Sequence, residues 1–209
     1  MLQPLVVDLS AYQPVVDFDA MAKAGIIGII HKASQGPSWT DHCYAEHRKQ
    51  AADAGLLWGA YHFFDLSPPD EQVSHFLACA DPDERTLLCL DWENVPPSGR
   101  APTKQAAQAF LQGIERIQGR KAVIYSGNVA KEQIVGFDPF FAAHRLWLCQ
   151  YAEHFTTQAS WKNQPWLWQN NGDNFGPGPH RLPGYAGLID NSCIVGDMTV
   201  ERLRAEWAV

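Results

Sequence analysis

Short apolar runs rich in β-branched and aromatic residues return along the chain with a steady rhythm, at 5–8, 26–31, 56–64, 87–91 and 122–125, and read as strands. Between them the apolar positions fall at helical spacing. A first helix is expected from Asp41, as N-cap, through residue 54 to a stop at Gly55. A second follows Ser67, with Pro68 at its first position and Val73, Phe76, Leu77 and Ala80 on one face. The clearest covers 103–118, where Ala107, Phe110, Leu111, Ile114 and Ile117 make one stripe and Gly119 ends the pattern. Strands and helices in alternation imply parallel strands joined by right-handed crossovers, hence a doubly wound sheet or a barrel.

The final third changes character. Three more strands are expected at 146–149, 166–168 and 186–189, separated by loops rich in Gly, Pro and Asn that are too irregular for full crossover helices. Eight strands in all predict an α/β fold, an irregular (β/α) barrel with regular βα units on its N-terminal side, fewer helices than strands, and a last helix near 198–207. No internal repeat or linker divides the chain, so residues 1–209 are expected to form one domain.

Polar and aromatic residues stand where the apolar runs stop: Asp8, His31-Lys32, Tyr61-His62, Asp91 with Glu93, Tyr125, Gln150-Tyr151, Gln169 and Asp190. In a parallel barrel such positions gather on the rim formed by the C-terminal ends of the strands, where these folds carry their sites. Asp91 and Glu93 are two residues apart, so on a strand they share a face with Cα atoms roughly 7 Å apart. Like charges that close resist joint ionisation, which raises one pKa. Trp92, between them, points to the other face and is expected to pack. With Asp8 and Asp190 the pair describes a carboxylate-lined cleft walled by Tyr61, Tyr125, Trp147 and Tyr151, whose rings and hydroxyls suit pyranoses. Gln169 is counted with these as a substrate-binding position.

A protonated carboxyl to release the leaving oxygen and an ionised one near the anomeric carbon are the minimal kit for glycoside hydrolysis. Glu93, furthest past the apolar run and with Asp91 raising its pKa, is then the general acid. Asp91 is either the nucleophile or the group that orients a 2-acetamido substituent to attack from within the substrate, and Asp8 and Asp190 tune both.

Composition narrows the field. The net charge is −7, with 16 Lys and Arg against 23 Asp and Glu, which argues against nucleic acid and anionic membranes as partners. The opening MLQPLVVDLSAYQP carries an acid inside its apolar run and no basic segment, so it reads as neither signal peptide nor anchor. Five cysteines, an odd count without C-x-x-C, fit reduced thiols and synthesis in the cytoplasm. His42 and His47 are poorly spaced for a shared metal and are expected at the surface, while His62 is expected to be packed. No H-E-x-x-H, G-K-[ST] or G-x-S-x-G occurs. Neither metal nor cofactor is expected.

An ordered series runs through nearly the whole chain: Asp8-Leu9-Ser10-x-x-Gln13, Gly28-Ile29-Ile30-His31-Lys32-Ala33-Ser34-Gln35-Gly36, Ala54-Gly55-Leu56 with Gly59-Ala60-Tyr61-His62-Phe63, Leu90-Asp91-Trp92-Glu93, Ile124-Tyr125-Ser126, Leu146-Trp147-Leu148 with Tyr151, Trp168-Gln169, and Ile189-Asp190-Asn191. In order and spacing it resembles glycoside hydrolase family 25, the Chalaropsis-type lysozymes. The resemblance implies an irregular β/α barrel, bacterial peptidoglycan as substrate, and hydrolysis of the β-1,4 bond from N-acetylmuramic acid to N-acetylglucosamine without metal or cofactor. It also implies Glu93 as acid/base, Asp91 as its partner carboxylate, Asp8 and Asp190 as the remaining acids, and retention with help from the acetamido group.

Two departures bear on subsite preference: Cys149-Gln150 stands where the family commonly has a small residue, and Asn170-Asn171 follows Trp168-Gln169 where an aromatic is frequent. Wall-binding repeats, often appended in phage relatives, are not expected within 1–209. A monomer is expected, made in the cytoplasm and acting on the wall, periplasmic or extracellular, after release by a phage holin or a bacterial secretion machine. In the second case it would be an antibacterial effector with an immunity protein as partner. Two other readings are a metal-dependent polysaccharide deacetylase with Asp and His ligands and a non-catalytic glycan-binding module.

Overall fold

The computed structural model describes residues 3–162 and 164–209. Its strands are β1 (Val6–Leu9), β2 (Gly28–Gln35), β3 (Trp39–Thr40), β4 (Leu57–Phe63), β5 (Leu87–Asp91), β6 (Val123–Ser126), β7 (Leu146–Cys149), β8 (Leu167–Asn171) and β9 (Asn191–Cys193). Strands β1, β2, β4, β5, β6, β7 and β8 run parallel in that order, and β9 closes the ring between β8 and β1, antiparallel to both. The short β3 folds back on the end of β2 and stands outside the ring. Helices α1 (Phe18–Lys23), α2 (Tyr44–Asp53), α3 (Pro69–Ala80), α4 (Lys104–Gln118), α5 (Asn128–Gln133) and α6 (Pro139–Ala142) lie in the crossovers, and α7 (Val200–Ala205) ends the fold. This is the irregular α/β barrel that the pattern predicts.

Strand alternation sorts the core into two layers. Val6, Ile30, Leu87, Cys89, Val123, Trp147 and Leu167 fill the barrel, whereas Val7, Ile29, Leu88, Leu90, Ile124 and Leu146 face the helices. The lower end is sealed by Trp207, whose indole N–H donates to Trp58 O at 2.8 Å. Gly28 makes room for it, since a Cβ there would lie 2.6 Å from the Trp207 ring. On the outside α4 is capped by Thr103, which accepts from Ala106 N–H at 3.2 Å, and it buries Ala107, Phe110, Leu111 and Ile114. Among the described residues no helix is long and apolar enough to cross a membrane.

Several local expectations are corrected. The strand expected at 186–189 lies at Asn191–Cys193 instead: Ile189 is fully buried in a loop, and β9 itself is polar, with the Ser192 hydroxyl bonded inside the ring and the Asn191 amide bonded to the loop outside it. Helix α2 starts at Tyr44 because the Asp41 carboxylate is engaged elsewhere, accepting from Ala11 N–H at 2.7 Å and from Cys43 N–H at 2.9 Å. Helix α3 opens one residue late, with Pro68 as N-cap and Pro69 first. Ile117 is exposed, so the α4 stripe stops at Ile114. The final helix is shorter than 198–207. His47 is buried, with Nδ1 2.9 Å from His31 Nε2, because α2 leans on the outer face of β2 there. His62 is packed as expected, between Ser34 Oγ at 2.8 Å and Gln72 Oε1 at 3.0 Å.

Candidate active site

Register brings the rim residues together. Phe63 of β4, Asp91 of β5 and Tyr125 of β6 are consecutive partners across three strands. Leu87 and Cys89 point inward, so Asp91 does too; Glu93 continues that face, while Trp92 turns outward. The Trp92 indole N–H donates to Pro102 O at 2.8 Å, its backbone N–H donates to Tyr125 O at 2.9 Å, and its carbonyl accepts from Ser126 Oγ at 2.7 Å. A residue held at three points fixes its neighbour, and Glu93 inherits that position.

A cavity of about 220 Å³ at the mouth is lined by Asp8, Tyr61, Phe63, Asp91, Glu93, Tyr125, Trp147, Tyr151 and Asp190. All four acids and all four aromatic residues singled out from the sequence are in this wall. Gln169 is not. It is buried behind the wall, accepting from Tyr125 Oη at 2.7 Å and donating to Asp8 Oδ1 at 2.9 Å, so it holds both side chains in place. Asp190 reaches the rim by a route the sequence hides: it immediately precedes β9, and the start of an antiparallel strand lies at the same end as the finish of its parallel neighbours. Its Oδ1 accepts from Asp173 N–H at 2.8 Å. Beneath that loop Asn171 and Asn191, both buried, bond each other's amides at 3.0 and 3.3 Å, and Asn191 Nδ2 also donates to Pro179 O at 2.9 Å.

The electrostatics follow from burial and crowding. Burial is the first cause raising the pKa of Asp8, Asp91, Glu93 and Asp190 above the ordinary carboxylate range. Asp190 adds to the rise at Asp8 and Glu93, and Glu93 adds to the rise at Asp91, where the Lys32 ammonium opposes it. The expectation that Asp91 chiefly raises Glu93 therefore changes: burial and Asp190 do so, and the repulsion within the pair falls on Asp91. Asp91 Oδ1 is buried without a hydrogen-bond partner among the described residues.

Two further cavities flank this one. One of about 360 Å³ shares Glu93 and Tyr151 with it and continues over Asn94, Asn128, Cys149 and Gln150. The other, about 500 Å³, lies under the β2–β3 hairpin and includes Tyr12, Lys32 and Trp39. The sequence places Lys32 on the rim without a role in the cleft and does not single out Phe63 there. Both were findable from alternation, two residues on from Tyr61 and from Ile30. As to metals, groups of three or more ligating side chains gather only at Asp41, His42 and Cys43 among the described residues, and both Asp41 oxygens are already bonded to backbone N–H groups.

The chain resembles proteins of several organisms. It is 25% identical to YegX of Escherichia coli K12 over 208 residues, 95% of this chain and 71% of that protein. A muramidase from Trichobolus zukalii superposes with a TM-score of 0.81 at 26% identity over 97% of both chains. A family 25 lysozyme from Aspergillus fumigatus does so with a TM-score of 0.81 at 25% identity over 99% of both. The sequence profile of "Glycosyl hydrolases family 25" matches residues 7–178, a span that takes in the barrel from β1 through β8 and three of the four converging acids. The chain belongs to glycosyl hydrolase family 25.

Proposed function

We propose that the protein is a muramidase, hydrolysing the β-1,4 bond from N-acetylmuramic acid to N-acetylglucosamine in bacterial peptidoglycan. The observation that carries this reading is the pairing at the end of β5: a partly buried Glu93 at the junction of two cavities, and a buried Asp91 whose Oδ1 has no partner among the described residues. A sugar in the central cavity places its glycosidic oxygen at that junction. Glu93 gives its proton to this oxygen as the C1–O bond breaks. The acetamido N–H donates to Asp91, which aims the acetamido carbonyl oxygen at C1 and retains configuration over the two steps. Water then attacks C1 while the Glu93 carboxylate takes its proton.

Substrate binding drives the two pKa values apart. An N–H donated to Asp91 favours its ionised form and offsets its burial, while the sugar dries Glu93 and keeps its proton on. Asp8 and Asp190 border the same ring, and Tyr61, Tyr125 and Tyr151 supply stacking faces and hydroxyls.

The test is digestion of purified peptidoglycan by the native enzyme, Glu93→Gln and Asp91→Asn, with identification of the new reducing sugar. Muramic acid at the new end, and a loss of about 100-fold or more in Glu93→Gln, are expected. Glucosamine at the new end would make the protein a glucosaminidase, and glycan binding without new reducing ends would make it a binding module.

A further inference from the structure

We propose that the cavity under the β2–β3 hairpin is the subsite for the sugar on the non-reducing side of the residue being cleaved, an N-acetylhexosamine, with Trp39 as its stacking platform. The inference rests on the glycosidase reading of the central cavity. Glu93 borders the central cavity and the one over Asn128 and Gln150, so the bond to be broken sits at their junction. The sugar attacked at C1 is then in the central cavity and the leaving sugar is beyond Glu93. The glycan's other direction must exit on the opposite side, where the loops after β1, β2 and β4 meet. There the hairpin cavity begins, partitioned from the central one by Lys32, whose ammonium lies 4.9 Å from the Phe63 ring on one side and 4.8 Å from the Trp39 ring on the other.

Ring closure does not need β3, yet the hairpin is fixed from three sides. Trp39 O accepts from His75 Nε2–H at 2.9 Å, and Asp41 N–H donates to Ala33 O at 3.0 Å. At the turn Gly36 has φ +55 and sits on Asp65, where a Cβ would lie 2.2 Å from Oδ2. Trp39 is thus held at 43% exposure with one face against an ammonium. A rigid indole with one face spoken for and the rest open is a preorganised surface for the apolar face of a pyranose. Gln35, Ser10 and Asp65 line the same space and offer polar partners for hydroxyl and acetamido groups.

Two peptide-free oligosaccharides separate this subsite from the rest of the cleft: the tetrasaccharide of two glucosamine-muramic acid repeats, and the trisaccharide left when its non-reducing glucosamine is trimmed. The native enzyme is expected to favour the tetrasaccharide in kcat/KM, and Trp39→Ala to cut that preference by about tenfold, with Trp39→Tyr restoring most of it. An unchanged preference in a folded Trp39→Ala overturns the proposal. So does a preference that follows trimming of the reducing end instead. Titrating both oligosaccharides into Glu93→Gln reads the subsite without turnover: tighter tetrasaccharide binding that Trp39→Ala removes supports it, and equal binding overturns it. If the native enzyme shows the binding difference but cuts neither sugar, the muramidase reading fails and the subsite stands.

Discussion

Among the single residues, Glu93 and Asp190 make the most direct test of how the site is tuned. Burial raises the Glu93 pKa and the Asp190 charge raises it further. In the proposed role of general acid Glu93 works protonated, so activity is expected to fall as pH rises through its pKa. Asp190→Asn removes one of the two causes, and the alkaline limb of the kcat/KM profile is expected to move to lower pH. A limb that stays in place would mean that Asp190 does not reach Glu93 electrostatically. How far such residues can be read from sequence depends on what fixes their direction. Asp91 and Glu93 were legible because strand alternation alone decides which way they face. Gln169 was assigned to the substrate because it ends an apolar run; its burial behind Tyr125 and Asp8 depends on the curvature of three strands, which no local pattern records.

At the scale of elements, β9 and the loop before it carry the last acid. The apolar 186–189 stretch looks like the strand, whereas the strand forms from Asn191, Ser192 and Cys193. A polar triplet can close a barrel only if its side chains find partners on both faces: inside, Ser192 Oγ accepts from Trp147 Nε1 at 2.9 Å, and outside, Asn191 joins Asn171 and the loop carbonyls. Hydrophobic periodicity is blind to that solution. The Asn171–Asn191 pair grips both ends of the loop between β8 and β9, and with it the Asp173 N–H that holds Asp190. Asn191→Ala leaves buried carbonyls unpartnered and is expected to cost about 1–3 kcal/mol of stability. It is also expected to shift the alkaline limb in the same direction as Asp190→Asn. A loss of stability with an unmoved limb would show that the pair braces the barrel without positioning the acid.

For the molecule as a whole, the site is a debt carried by the fold. Asp91 has a pKa raised by burial and by Glu93. Between its ordinary value and that raised value the folded chain holds a proton that the unfolded chain releases, so stability declines as pH rises through this window and the penalty is absent below about pH 4. Asp91→Asn never ionises. Its melting temperature is therefore expected to exceed the native one at neutral pH, each kcal/mol gained appearing as about 2–4 °C, with the gap closing as pH falls to 4. A variant that melts lower at pH 7 would contradict the direction of the shift. The overall barrel was legible because its first five strands repeat one pattern, with parallel pairing implied by the helices between them; the reversed last strand was not, because its partners are set by closure. That closure has a consequence for biosynthesis. Val6 pairs with Ser192, so the earliest strand waits for the latest before Asp8 and Asp190 can meet. A polypeptide not yet extended to β9, or clipped ahead of residue 190, holds at most three of its four acids along an open seam, and the cell that makes the protein meets no working hydrolase until that last strand has been made.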